Sequence, residues 1–246
     1  MTKVERTVSV ERREQLSPNM IRMVLTGEPL ADFPEGFESG YVKLLLPGVA
    51  AKPTVRSYTI RAFSPEAREL TLDMVAHGDA GPATSWANRA GPGTEITITG
   101  PGAVKKINPD ADWFLLAGDM SAFPAISVNL ESLPADAEGH VVLEVISEAD
   151  KLALELPGGL KVHWIVNPEP ESPNTMLEDT VMALPWSDGM ASVWVAGEFS
   201  ASRRLRQYFR HERGLDKDYM YVSCYWKVGA TDEGMKAAKR ADPEPW

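Results

Sequence analysis

The chain has 246 residues, enough for one large domain or two small ones, and its 43% hydrophobic and 24% charged content is that of an ordinary globular protein. A net charge of −10, from 25 basic and 35 acidic residues, argues against nucleic acid as a partner, because phosphate backbones need clustered cations. The single cysteine, Cys224, allows no internal disulfide and no C-x-x-C zinc or iron–sulfur site. No apolar run reaches the roughly 18 residues of a membrane span. The polar start MTKVERTVSVERREQ does not read as a signal peptide. A cytoplasmic protein with no protein-bound metal is expected.

Along the first hundred residues the pattern predicts short strands at 20–26, 41–46, 55–61, 69–76 and 94–99. Pro and Gly punctuate them at 34–36, 47–48, 91–93 and 100–102. That spacing suggests a small antiparallel barrel. One helix interrupts it, with Pro82 in its first turn and Gly91 as its stop. Near Asn108-Pro109 the character changes. Strands at 113–117, 140–146, 161–166, 192–196 and 219–224 then alternate with helices at 121–133, 174–184 and 200–213. This is the pattern of a doubly wound parallel sheet. The expected class is thus β + α/β, with a β-barrel domain at 1–107 and a nucleotide-binding α/β domain at 108–246. The stretch 167–175 reads as a polar surface loop, and the tail ending RADPEPW as Pro-rich and acidic but for its last residue.

Four segments carry candidate chemistry. In RSYTIR, alternation puts Arg56, Tyr58 and Ile60 on one face and Ser57, Thr59 and Arg61 on the other. Tyr58 offers a flat ring, Thr59 and the backbone offer hydrogen bonds, and Arg56 or Arg61 can grip a pyrophosphate. An isoalloxazine dinucleotide needs this combination, although an amphipathic strand with solvated arginines has the same pattern. In HGDAGPATSWA, glycines precede a helix whose first N–H groups suit a phosphate. Main chain at Ala83–Thr84 and the Ser85 hydroxyl can reach that phosphate, and Trp86 either packs on an adenine or fills the core. AGDMSAFPAI follows a strand and opens a helix, where a doubly wound sheet binds nucleotides, yet it lacks G-x-G-x-x-G. In WVAGEFSASRRLR, Gly197 permits close backbone approach and Glu198 sits at the sheet's carboxyl edge. Arg203, Arg204 and Arg206 follow on a helix, at least one of them as solvated charge. Ser147 and Lys151, after the second strand of this domain, stand where a 2′-phosphate would sit. His77, His140, His163 and His211 are scattered, with His140 and His163 in strands as structural residues.

In order, RSYTIR, HGDAGPATSWA, GPGAVKKI, AGDMSAFPAI, VWVAGEFSASRRLR and YWKVG resemble the siderophore-interacting proteins, a branch of the ferredoxin-reductase-like flavoenzymes. The resemblance runs from about Val4 to about Gly229 and rests on ordered spacing. It implies noncovalent FAD, NADH or NADPH as electron donor, and reduction of iron(III) in a bound siderophore. The flavin site it implies comprises Arg56, Ser57, Tyr58, Thr59 and Arg61, then Asp73 and Val75 on the following strand. It continues with His77, Gly78, Gly81, Ala83, Thr84, Ser85 and Trp86. The nicotinamide-nucleotide site falls on Gly118, Asp119, Ser121 and Pro124, with Ala196, Gly197 and Glu198. Cations beside the flavin hold the anionic chelate, with Lys52 the leading candidate, Lys236, Lys239 and Arg240 behind it, and Lys105 and Lys106 further candidates. For each of these, solvated surface charge is the plainer reading.

The implied chemistry is hydride transfer from nicotinamide to flavin, then single electrons to iron, with no protein acid, nucleophile or metal ligand required. Release follows because hard oxygen chelators hold iron(II) more weakly than iron(III). Ferredoxin is a second candidate donor, and a monomer is expected. A flavin- or ferredoxin-type reductase with another acceptor, or a siderophore-binding protein without turnover, are the alternatives, since fold alone does not separate them.

Overall fold

The computed structural model describes residues 4–47, 53–76 and 81–244. The chain divides into two compact units, one ending at Lys105 and the other beginning at Lys106.

The first unit is built on period-two burial. In β1 (Glu5–Ser17), Arg6, Val8 and Val10 are buried while Glu5 and Thr7 are exposed. A bulge between Val10 and Arg12 turns the second half of the strand outward. The sequence pattern did not mark β1, because charged residues fill its outer face and its far half. β2 (Met20–Thr26), β3 (Tyr41–Leu46), β4 (Thr54–Thr59), β5 (Ala62–Ser64), β6 (Glu69–Val75) and β7 (Glu95–Thr99) complete a seven-stranded sheet. Its order is β4-β3-β7-β1-β2-β6-β5, and its pairings are antiparallel. The sheet curls back on itself: beyond β4, the Arg61 N–H donates to the Thr71 carbonyl on β6, at 2.9 Å. Leu25, Val42, Leu44, Ile60, Leu70, Leu72 and Met74 fill the interior. α1 (Pro82–Arg89) closes this core with Ala83, Trp86 and Ala87.

The second unit is a parallel sheet in the order β10-β9-β8-β11-β12. Its strands are β8 (Trp113–Asp119), β9 (Glu138–Val145), β10 (Gly159–Val166), β11 (Ala191–Glu198) and β12 (Met220–Trp226). β8 is buried over all seven residues, as a central parallel strand must be. α2 (Phe123–Glu131) covers one face, and α3 (Met176–Ala183) and α4 (Phe199–Gln207) the other, where Leu177, Val181 and Leu205 meet Leu115, Ala117 and Val195. The helix expected through 213 stops at Gln207 and continues as one π-helical turn, Tyr208–Glu212. α5 (Asp232–Ala241), which the sequence pattern did not mark, is an amphipathic helix. Strand order reverses between β8 and β11, so a crevice opens at the carboxyl ends of those strands. Among the described residues, no helix is long and apolar enough to cross a membrane.

Candidate functional sites

In the first unit, the flavin candidates collect along β4, β6 and the start of α1. Tyr58 is half-buried against the barrel core. Burial pushes its phenol up to about 12, with the nearby Arg56 guanidinium opposing, so the hydroxyl stays a protonated donor through the neutral range. Thr59 is buried, Ser57 exposed, and Val75 half-buried. Arg56 donates to the Val55 carbonyl at 3.0 Å. Asp73 is 7% exposed and receives a bidentate pair from Arg22, at 2.7 and 2.8 Å, with Arg61 4.0 Å away. Arg22 was not legible in the sequence. It lies opposite Asp73 in the β2–β6 register, and only strand pairing brings the two together. The carboxylate thus holds one guanidinium rigidly and draws in the second.

Gly81 is the N-cap of α1; its φ of +141° suits glycine, and a Cβ there would meet none of the described residues within 4 Å. Among the described residues no side chain caps this helix end, so the amides of Ala83 and Thr84 are presented at its positive terminus. Ser85 and Thr84 are half-exposed beside them. Trp86 is 8% exposed and belongs to the barrel core, the packing role weighed above. His77, Gly78 and Lys52 lie outside the described residues.

In the second unit, two glycines let β8 and β11 meet. A Cβ on Gly118 would lie 2.4 Å from the Ala196 carbonyl, and one on Gly197 would lie 2.5 Å from an Asp119 carboxylate oxygen. Asp119 is 8% exposed. Its Oδ1 accepts from the Ser121 N–H at 2.8 Å and from the Ser121 hydroxyl, and its Oδ2 accepts from the Trp226 indole at 2.7 Å. Burial pushes Asp119 above the usual carboxylate range, and these bonds pull it partly back. Pro124 is buried in the first turn of α2. Glu198 caps α4 by accepting from the Ser200 and Ala201 amides, and its other oxygen accepts from the Val228 N–H at 3.2 Å. Asp119, Glu198, Ser200, Ala201 and Val228 line an open cleft, whose walls also include Glu144, Asn174, Glu178, Trp226 and Lys227. Burial raises both Glu144 and Glu178. Neither glutamate was legible in the sequence, because they arrive from separate elements, and Trp226 stood out only as part of YWKVG, without a site role.

The family model for a siderophore-interacting FAD-binding domain matches residues 9–51 and 47–105, and that for siderophore-interacting protein matches 111–229. Ferric vibriobactin reductase ViuB of Vibrio cholerae is 33% identical, over 93% of this chain and 91% of its own. The crystal structure of the siderophore-interacting protein SipS from Aeromonas hydrophila superposes with a TM-score of 0.87 at 34% identity, covering 97% of each chain. A siderophore utilization protein from T. fusca gives 0.85 at 28% identity, over 94% of this chain and 96% of that one. The chain belongs to the siderophore-interacting protein family.

In this siderophore-interacting protein the tail cations are differently engaged. Lys236 pairs with Asp232 one turn earlier on α5. Lys239 donates to the Cys224 carbonyl at 3.1 Å, which ties α5 to β12. Arg240 is exposed. Of the arginines on α4, Arg206 is 1% exposed and bound to Asp242, Arg203 shares that carboxylate, and Arg204 pairs with Asp179 at 2.9 Å. Arg204 is thus the exposed, solvated member expected of the set, while Arg203 and Arg206 anchor Asp242.

Proposed function

We propose that the chain is a ferric-siderophore reductase that takes electrons from NADH or NADPH by way of FAD and releases iron. The first unit holds the flavin, within 1–107, and the second holds the nicotinamide nucleotide, within 108–246. Support comes from the donor set at β4, β6 and α1: a flat phenol, two guanidiniums and an uncapped helix start, in a chain of net charge −10. Cations and helix N-termini are what a pyrophosphate requires. That donor chemistry fits FAD. The flavin supplies the division of a two-electron donor into the one-electron steps that iron(III) accepts.

The chain's own residues bind and orient. Arg61, steadied by the Asp73 carboxylate that Arg22 clamps, and Arg56 face the phosphates, and the amides of Ala83 and Thr84 complete the cradle. Tyr58 supplies the ring contact, and Ser57 and Thr59 line the same strand. In the second unit, Gly118, Ser121, Pro124 and the Ala196–Glu198 segment are the groups offered to the nucleotide at the ends of β8 and β11, with Asp119 locking the strand ends. The relative ViuB is named for ferric vibriobactin, and the same acceptor class is assigned here. Lys236, Arg240, Lys105, Lys106 and Lys52 are the cations offered to an anionic chelate. A monomer in the cytoplasm, with ferredoxin as a second electron donor, completes the reading.

The test is the absorbance spectrum of the purified protein followed by anaerobic titration. Flavin bands that bleach with NADH or NADPH and return with a ferric siderophore are expected. A colourless protein that gives no heat with FAD would overturn the reading. Bleaching that free flavin or quinone reverses, and a ferric siderophore does not, would make it a reductase for another acceptor.

A further inference from the structure

In a doubly wound sheet, the adenosine ribose of a dinucleotide meets the chain just past the carboxyl end of the second strand. Here that strand is β9, and the chain beyond it forms one 3₁₀ turn, Glu148–Asp150. The two groups there that suit a 2′-phosphate are both engaged by carboxylates. Ser147 donates its N–H, at 3.0 Å, and its hydroxyl, at 2.7 Å, to the same oxygen of Asp150. Asp150 is 1% exposed, so the carboxylate that holds Ser147 is part of the interior. The Lys151 ammonium lies 2.6 Å from Glu148.

The described residues at the ends of β9 and β10 add no compensating charge. At the end of the next strand, Asn167 donates its amide to Glu144 at 2.8 Å and accepts from the Glu169 N–H. Among the described residues 144–151 and 166–170, Lys151 is the one cation, against Glu144, Glu148, Asp150 and Glu169. The Glu148 side chain is 76% exposed and can accept a hydrogen bond from a ribose hydroxyl. A phosphate ester in that position would bring a dianion against the Glu148 carboxylate, while the Ser147 and Lys151 side chains are already engaged by carboxylates.

We infer that this turn makes the protein selective for NADH over NADPH, with Glu148 as the discriminating residue and Asp150 as the group that withholds Ser147. The inference rests on the assignment of a nicotinamide nucleotide to the second unit.

Two readouts on the FAD-loaded protein test it. The first is calorimetry with adenosine 5′-diphosphate and with adenosine 2′,5′-diphosphate. The second is kcat/KM for flavin reduction by NADH and by NADPH. Tighter binding of the 5′-diphosphate is expected, with NADH preferred by roughly tenfold or more. Glu148→Gln removes the charge and releases Lys151, and Glu148→Arg adds a cation on the exposed turn. Both should shift the NADPH/NADH ratio toward NADPH, the second further. Equal or better use of NADPH by the unmodified protein, or an unchanged ratio in both variants, would overturn the inference while leaving the nucleotide assignment standing. No binding of either diphosphate and no reduction by either nucleotide would overturn both.

Discussion

Gly197 has a φ of +152°, and a Cβ there would meet Asp119 at 2.5 Å from Oδ2 and 3.0 Å from Cγ. Asp119 has no room to retreat, since Ser121 and Trp226 fix both its oxygens. Gly197→Ala therefore combines an unfavourable backbone region with overpacking, each costing about 1–3 kcal/mol. A loss of about 3 kcal/mol in urea unfolding is expected, together with weaker binding of the nicotinamide nucleotide. Gly91→Ala is the control: a Cβ there meets nothing within 4 Å, so a change within roughly 0.5 kcal/mol is expected. Equal losses in the two variants would show that the β8–β11 approach is not what Gly197 serves. At this scale the sequence was informative about the residue type. Gly197 was singled out for close approach, but its partner, Asp119, could be named only from the structure.

α5 carries two of the cations offered to the siderophore, Lys236 and Arg240, yet ten residues make a marginal helix in water. Tertiary contacts hold it. Met235 is buried with its sulfur 3.6 Å from that of Cys224, and Lys239 bonds the Cys224 carbonyl. Past the helix end, the fully buried carboxylate of Asp242 takes Arg203 at 3.1 Å and Arg206 at 3.0 Å. Asp242→Ala would leave the buried Arg206 facing Glu244 at 3.9 Å. Removing one partner of a buried pair costs about 3 kcal/mol or more, so a lower urea midpoint and faster tryptic cleavage within α5 are expected. Unchanged stability and cleavage would mean that α5 is held by Met235 and Lys239 alone. The helix escaped the sequence reading for a physical reason. Its period shows in one strongly apolar residue, Met235, and its anchor is an aspartate bound to arginines some 40 residues earlier. β1 escaped for the converse reason: its inner valines alternate correctly, but charged residues crowd its outer half. The central strands of the second unit were plain because burial on both faces leaves continuous apolar runs, such as WFLLA.

The whole molecule carries its acidity unevenly, since Asp119, Glu144, Glu178 and Glu198 converge on the cleft of the second unit. For Glu144, burial pushes the carboxyl up, Asn167 opposes, and the charges of Asp119, Glu178 and Glu198 add to the rise. A carboxyl raised in the folded state binds its proton more tightly folded than unfolded. Its contribution is full below the ordinary glutamate value, about 4.3, and is lost as pH rises through the folded value. Ionisation at neutral pH is thus a cost, which suits a site that must receive a ligand rather than maximise stability. Glu144→Gln keeps the acceptor for Asn167 and deletes the charge. The variant should melt close to the parent at pH 5 and higher at pH 8, by about 1 kcal/mol or roughly 2–4 °C. The comparison between pH values isolates the charge, because any packing effect of the amide is present at both. A gap of equal size at pH 5 and pH 8 would place the cause in packing and remove the carboxylate repulsion from the account of this cleft.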